Sequence, residues 1–159
     1  HPEKLEKQIE FMNRNNYHFS YTNYCEIDEH SKEMGMSISG PKVIDKNKMT
    51  AYCWPGCLTV MYDAECVGLM QTVDIKINGE YALWIEIAKK TNCYLLDENL
   101  AKYRRHSNSL TNKSYFSLIK WHYVMFRKLD NNVIYSFVLT IRNLIFGTYK
   151  KIVYRRNIK

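Results

Sequence analysis

The sequence predicts an α/β chain, and three observations carry that prediction. Segments of strand length, residues 18–28, 57–62 and 93–96, are interleaved with stretches whose apolar residues recur at helical spacing. Apolar residues make up 46% of the 159 and charged residues 25%, the balance of a globular chain with a core rather than a disordered one. At residues 79–96, GEYALWIEIAKKTNCYLL, a helix runs directly into a strand, and the rest of the chain is arranged around that unit.

Residues 2–13 open as a helix. Pro2 suits the first helical position, Glu3 complements the dipole, and Leu5, Ile9 and Met12 form one stripe before Asn13, Asn15 and Asn16 end it. Residues 18–28, HFSYTNYCEID, alternate Phe19 and Tyr21 with polar residues as a strand does. Residues 29–41 are polar, contain Gly35, Gly40 and Pro41, and read as a surface loop or hairpin. Residues 45–52 form a short helix, and Trp54-Pro55-Gly56 a turn. CLTVMY, residues 57–62, is an apolar run of strand length, expected to be buried on both faces, and Asp63 caps a small helix through Leu69.

In the central helix Tyr81, Trp84, Ile85 and Ala88 recur at helical spacing, with Leu83 and Ile87 widening the face. Gly79 supplies backbone freedom at the entry, and Asn92 marks the stop. Residues 93–96 form a strand that continues extended through 98–104, and a polar run follows over 104–113. Residues 114–129 form a helix with Phe116, Ile119, Tyr123 and Phe126 on one side. Residues 133–154 form another, with Ile134, Phe137, Val138, Ile141, Leu144, Ile145, Tyr149 and Ile152 as its apolar face. Arg142 and Asn143 are expected on the opposite face, and Lys150, Lys151, Arg155 and Arg156 crowd the end.

The net charge of +7 is unevenly spread. Residues 1–100 hold 10 basic against 15 acidic residues, whereas residues 101–159 hold 13 basic residues against Asp130 alone. A basic tail of that kind faces an anion: nucleic acid, phospholipid headgroups or a phosphorylated substrate. No nucleic-acid-binding motif is present and the first two thirds are acidic, so nucleic acid is not an expected partner. Cys25, Cys53, Cys57, Cys66 and Cys93 are an odd set without repeated spacing and without a Cys/His pairing that completes a zinc site. They read as reduced, mostly buried thiols of a cytoplasmic protein. No apolar run reaches the ~18 residues of a membrane span. The first residue is His1, and the expectation is a partial chain.

Glu80 falls in the first turn of the central helix, where a carboxylate complements the dipole or serves as a base at the helix mouth. Trp84 reads as core. His18, His30 and His122 have no partner in sequence that would make them ligands.

Three ordered blocks resemble the C-terminal half of a bacterial family 2 glycosyltransferase, the inverting nucleotide-sugar enzymes of capsule, teichuronic and O-antigen polysaccharide assembly. HPEKLEKQIEFM followed by HFSYTNY is similar to the segment that follows the family's acidic D-x-D motif. GCLTVMYD, a loop and EYALWIEI are similar to the family's G-x-L-T-V-M-Y-D and D-Y-A-L-W-L blocks. LAKYRRHSNSLTNK is similar to L-A-x-Y-R-x-H-x-x-S-x-S. The resemblance covers residues 1 to about 115. It implies the acceptor-side half of a GT-A fold, a mixed sheet flanked by helices, over residues 1–115, with a two-helix basic extension over 116–159.

The same resemblance implies transfer of a sugar from a nucleotide-sugar donor to a saccharide or lipid-linked acceptor. Glu80 then occupies the position of the catalytic base, with Gly79 where the family carries a first acid. Arg104 and His106 match the R-x-H of the third block as phosphate contacts, and His106 is also a candidate metal ligand. Ser109 and Thr111 match its hydroxyl residues, and Trp54, in the turn with Pro55-Gly56, is the candidate for stacking on a sugar ring. No D-x-D stands at the proper place, so a divalent metal, Mg or Mn, is expected only together with a donor-binding half, and the chain alone is expected to be inactive. An uncovered face would favour homo-oligomers. The last helix suits an anionic membrane surface, placing the protein at the inner face of the cell membrane, or alternatively packs against the missing half. The competing reading is a catalytically inactive remnant that binds a membrane or a partner.

Overall fold

The computed structural model describes residues 1–106 and 115–158. In chain order the elements are α1 (Lys4–Asn15), β1 (Phe19–Ile27), β2 (Glu33–Ile38), β3 (Val43–Ile44), α2 (Lys46–Ala51), β4 (Met61–Tyr62), α3 (Ala64–Val67), α4 (Gly79–Ala88), β5 (Cys93–Arg104), α5 (Tyr115–Lys128), α6 (Val133–Val153) and β6 (Arg155–Asn157). The strands form one mixed sheet of order β3-β5-β1-β2-β6, with β4 paired to the start of β1. Its centre is the parallel pair β1–β5, which runs from Ser20 opposite Tyr94 to Ile27 opposite Arg104. The other pairings are antiparallel. The predicted α/β class, a mixed sheet flanked by helices, is what the chain adopts.

Successive residues of a strand face opposite sides, and β1 is covered on both. The Phe19 ring lies 6.0 Å from that of Trp84 on α4, while the neighbouring Ser20 Oγ accepts a 3.0 Å hydrogen bond from Gln8 Nε2 on α1. That second cover corrects the stripe expected on α1. Gln8 and Met12 are its buried residues, and Leu5 and Ile9 are exposed. The Gln8 amide can be buried because it also donates to Thr59 O at 3.0 Å.

Residues 57–62 are also not the continuous strand expected. Cys57–Thr59 is a single 3₁₀ turn, closed by the Thr59 backbone N–H and its hydroxyl, both donating to Gly56 O at 2.8 and 2.7 Å. A local hydroxyl–backbone bond competes with strand pairing there, and only Met61 and Tyr62 remain in the sheet. Of the cysteines, Cys93 is buried, Cys25 and Cys53 are half-buried, and Cys57 and Cys66 are exposed, so the expectation of mostly buried thiols is too strong.

The apolar face read for α6 is turned outward, uncovered by the rest of the described chain: Ile134 is 77% exposed and Ile152 75%, with Phe137, Val138, Ile141 and Ile145 exposed between them. Ser136, Leu139, Thr140, Asn143 and Lys150 are buried. Asn143, on the face opposite the apolar one as expected, donates from Nδ2 to Tyr81 Oη at 3.0 Å, and that hydroxyl donates on to Met49 O and Thr50 O. Lys150 Nζ donates to Trp54 O at 2.5 Å and sits 5.5 Å from the centre of the Tyr52 ring. Gly147 permits this approach, since a Cβ there would lie 2.9 Å from Tyr52 Cε2. Polar partners inside the body set the rotation of the helix more strongly than its apolar stripe does.

The chain after α6 returns to the sheet as β6, antiparallel to β2, in a stretch read as a basic helix end. Glu26, fully buried on β1, is the reason. Arg105, at the end of β5, donates to its Oε1 from Nε at 2.8 Å and also from Nη2, and Arg155 Nη2 donates to Oε2 at 2.8 Å. Arg105 is therefore half of a clamp on a buried carboxylate.

Replacing both Arg105 and Arg155 with methionine would strand that carboxylate and cost about 3–5 kcal/mol in urea unfolding, and adding Glu26→Met should return most of the loss. Burial pushes the Lys150 ammonium down to about 8 from its usual 10.5. Between those values the unfolded chain binds more protons than the folded one, so this group makes stability rise with pH, by up to about 3 kcal/mol. Buried thiols and phenols act in the opposite sense above about pH 9. The wild-type stability minus that of Lys150→Met, followed from pH 7 to 10, isolates the rise.

Candidate active site

The central helix α4 is entered through Asn78, which takes the left-handed conformation at φ 69°. The freedom expected of Gly79 is thus exercised one residue earlier, by an asparagine. A Cβ on Gly79 would meet its nearest neighbour, Val73 O, at an ordinary 3.6 Å. The helix ends at Ala88, before Asn92, and is buried almost all round, with Tyr81, Ala82, Leu83, Trp84, Ile85 and Ile87 inside. Trp84 is core, as expected.

Glu80 is the exception on this helix. It is exposed in the first turn, and its carboxylate makes no hydrogen bond or ion pair with a described residue. Burial raises the Cys57 thiol and the Glu80 charge raises it further. Burial likewise pushes the Cys53 thiol up to about 12, with Glu80 adding to it against the opposing Lys150. An exposed carboxylate in a first helical turn can accept a proton from a bound hydroxyl.

The remaining expected residues are not gathered around it. Trp54 is only 3% exposed, donates from Nε1 to Lys48 O at 2.9 Å, and packs edge-on against Tyr52, Phe146, Tyr149 and Tyr154. A ring so enclosed offers no open face to a sugar, and the stacking expectation is corrected on that ground. Arg104 Nη1 is committed to the hairpin between β1 and β2, donating to Asp28 O, Glu29 O and Ser31 Oγ. His106 is exposed and without a hydrogen-bond partner among the described residues. Ser109 and Thr111 lie outside the described residues.

His106 has no acid or thiol grouped with it among the described residues. Among those residues the group that could hold a metal is His18, Asp63 and Cys66 at the start of β1, and sequence reasoning missed it. His18 Nδ1 lies 3.2 Å from Asp63 Oδ2, a partner 45 residues away, so His18 is not the partnerless histidine expected. The one sequence signal was Asp63-x-x-Cys66, read only as a helix start.

An α/β chain with a mixed sheet flanked by helices is consistent with a GT-A-like glycosyltransferase fragment. No family model matches the chain. Among characterised proteins it is 31% identical over 129 residues to TuaG of Bacillus subtilis (strain 168), assigned as a glycosyltransferase of teichuronic acid biosynthesis, covering 80% of this chain and 51% of that protein. It is 32% identical over 117 residues to the Escherichia coli UDP-Glc:alpha-D-GlcNAc-diphosphoundecaprenol beta-1,3-glucosyltransferase WfgD, covering 72% of this chain and 45% of the relative. It is 31% identical over 149 residues to WfaP of Escherichia coli, whose name describes the same reaction, covering 89% and 57%. The chain is homologous to the bacterial glycosyltransferases of cell-surface polysaccharide synthesis. It spans about half the length of the curated relatives it matches.

Proposed function

We propose that this chain forms part of an inverting glycosyltransferase that moves a sugar from a nucleotide-sugar donor to a lipid-linked saccharide. Glu80 carries the reading: an exposed carboxylate, without a hydrogen-bond partner among the described residues, held by a helix that is otherwise core. The acceptor hydroxyl oxygen attacks the anomeric carbon, and the bond from that carbon to the donor phosphate breaks as the new glycosidic bond forms. The hydroxyl proton passes to Glu80, and the nucleoside diphosphate departs with the bonding electrons. His106, and Arg104 through the donors its hairpin bonds leave free, are the proposed contacts for that diphosphate. The names of WfgD and WfaP support a diphosphate-lipid-linked acceptor. Homology to synthetic enzymes favours this reading over an inactive remnant.

The outward face of α6 supports a place on the membrane. Its row of exposed aliphatic and aromatic residues ends beside Lys151, with Arg156 following on β6, and no acidic residue follows Asp130. No helix among the described residues is long and apolar enough to cross a membrane, so the proposed mode is interfacial, at the inner leaflet beside the lipid-linked acceptor.

Glu80→Gln, made in the protein together with its donor-binding half, is expected to lower kcat by about 10²–10⁴ with little change in KM for the donor. The isolated chain is expected to turn over no nucleotide sugar, and robust transfer by it would refute the separate donor half. In co-sedimentation, vesicles containing anionic lipid should retain the chain, neutral vesicles should retain less, and Ile134→Ser with Phe137→Ser should release it. A soluble dimer that ignores vesicles would assign the face to self-association instead.

A further inference from the structure

We propose that His18, Asp63 and Cys66 form a binding site for Zn²⁺, separate from Glu80 and from the metal expected with the nucleotide donor. The three residues come from the residue before β1, the cap of α3 and the body of α3, and each offers one ligand atom within 4.8 Å of the others. The donor set is one imidazole nitrogen, one carboxylate oxygen and one sulfur. A thiolate with an imidazole selects zinc over magnesium or manganese, which prefer all-oxygen sites.

The spacing agrees with that metal. Two ligands about 2.0 Å from a tetrahedral zinc stand about 3.3 Å apart, and His18 Nδ1 lies 3.2 Å from Asp63 Oδ2. Asp63 divides its two oxygens in a way that leaves one for the metal. Oδ1 accepts from the backbone N–H of Glu65 at 2.9 Å and of Cys66 at 3.4 Å, which locks the carboxylate, and Oδ2 points to His18. Hydrogen bonds from the His18 and Cys66 side chains hold the Asp63 carboxyl below its usual range, so it is anionic at neutral pH.

Three protein ligands leave a fourth position for water, and space for it exists. A cleft of about 410 Å³ opens beside His18 and Asp63, walled by Met12, Tyr17, Met61 and Tyr62. Binding displaces the Cys66 proton to solvent, so zinc competes with protons for the thiolate. The bound ion would join the start of β1 to α3, two segments otherwise connected by short pairings, and so stabilise this end of the sheet.

The test titrates the isolated, reduced chain with Co²⁺ and then with Zn²⁺. One equivalent of Co²⁺ should give a thiolate-to-cobalt charge-transfer band that one equivalent of Zn²⁺ abolishes, and zinc should raise Tm. Cys66→Ser should lose the band, His18→Ala should weaken binding at least tenfold, and Asp63→Asn, which keeps the helix cap, should do the same. Cys57→Ser, at the other exposed thiol, should change nothing. Overturning results are absence of a charge-transfer band in the wild type, a band that survives Cys66→Ser, or affinity unaltered by both His18→Ala and Asp63→Asn. None of these outcomes depends on glycosyl transfer, so the site and the proposed activity stand or fall separately.

Discussion

The fold depends on the carboxylate of Glu26 being answered by two arginines. A charge with no access to water is tolerated only when it is paired and hydrogen-bonded. Its partners arrive from 79 and 129 residues further along the chain, so satisfying one side chain requires the end of β5 and the strand β6 to converge on β1. That convergence draws the C-terminal residues into the sheet beside β2 and fixes where α6 must end. With its end anchored, the helix is rotated by the partners within reach: Tyr81 and the carbonyl of Trp54 call for Asn143 and Lys150. The cost of leaving those polar groups unsatisfied outweighs the gain from burying one more apolar stripe.

That arrangement has consequences on both sides of α6. Inward, Tyr81 is bonded to α2 and α6 at once, which makes α4 rigid and holds its first turn in place. A carboxylate on such a platform is positioned without reorganisation, which favours chemistry that needs a base at a set distance. Outward, a long apolar surface is left beside a basic end, the face on which the proposed membrane contact rests.

The reading from sequence was accurate where local chemistry decides. Asp45 and Asp63 cap α2 and α3 through their carboxylates, as the residue type and position require. The strands 19–27 and 93–104 and the three long helices lie within a few residues of their expected limits. It was less accurate where a residue's role depends on what meets it. Trp54 looks like an exposed platform beside a Pro-Gly turn, yet four aromatic rings enclose it, three of them from the last 14 residues. Arg104 carries the motif position of a phosphate ligand, but the hairpin carbonyls take one of its nitrogens. Glu80 and His106 are the two of these residues that are exposed and have no hydrogen-bond partner among the described residues.

Sequence by itself determined the α/β class, the glycosyltransferase resemblance and the helix that presents Glu80. These rest on periodicity, caps and ordered motifs, all of which are local along the chain. Tertiary structure alone decided which face of α6 is buried, that residues 155–157 form a strand, and that His18 meets Asp63 and Cys66. Each of these follows from a polar or charged group finding partners tens of residues away, and neither spacing nor hydropathy encodes which partner that will be.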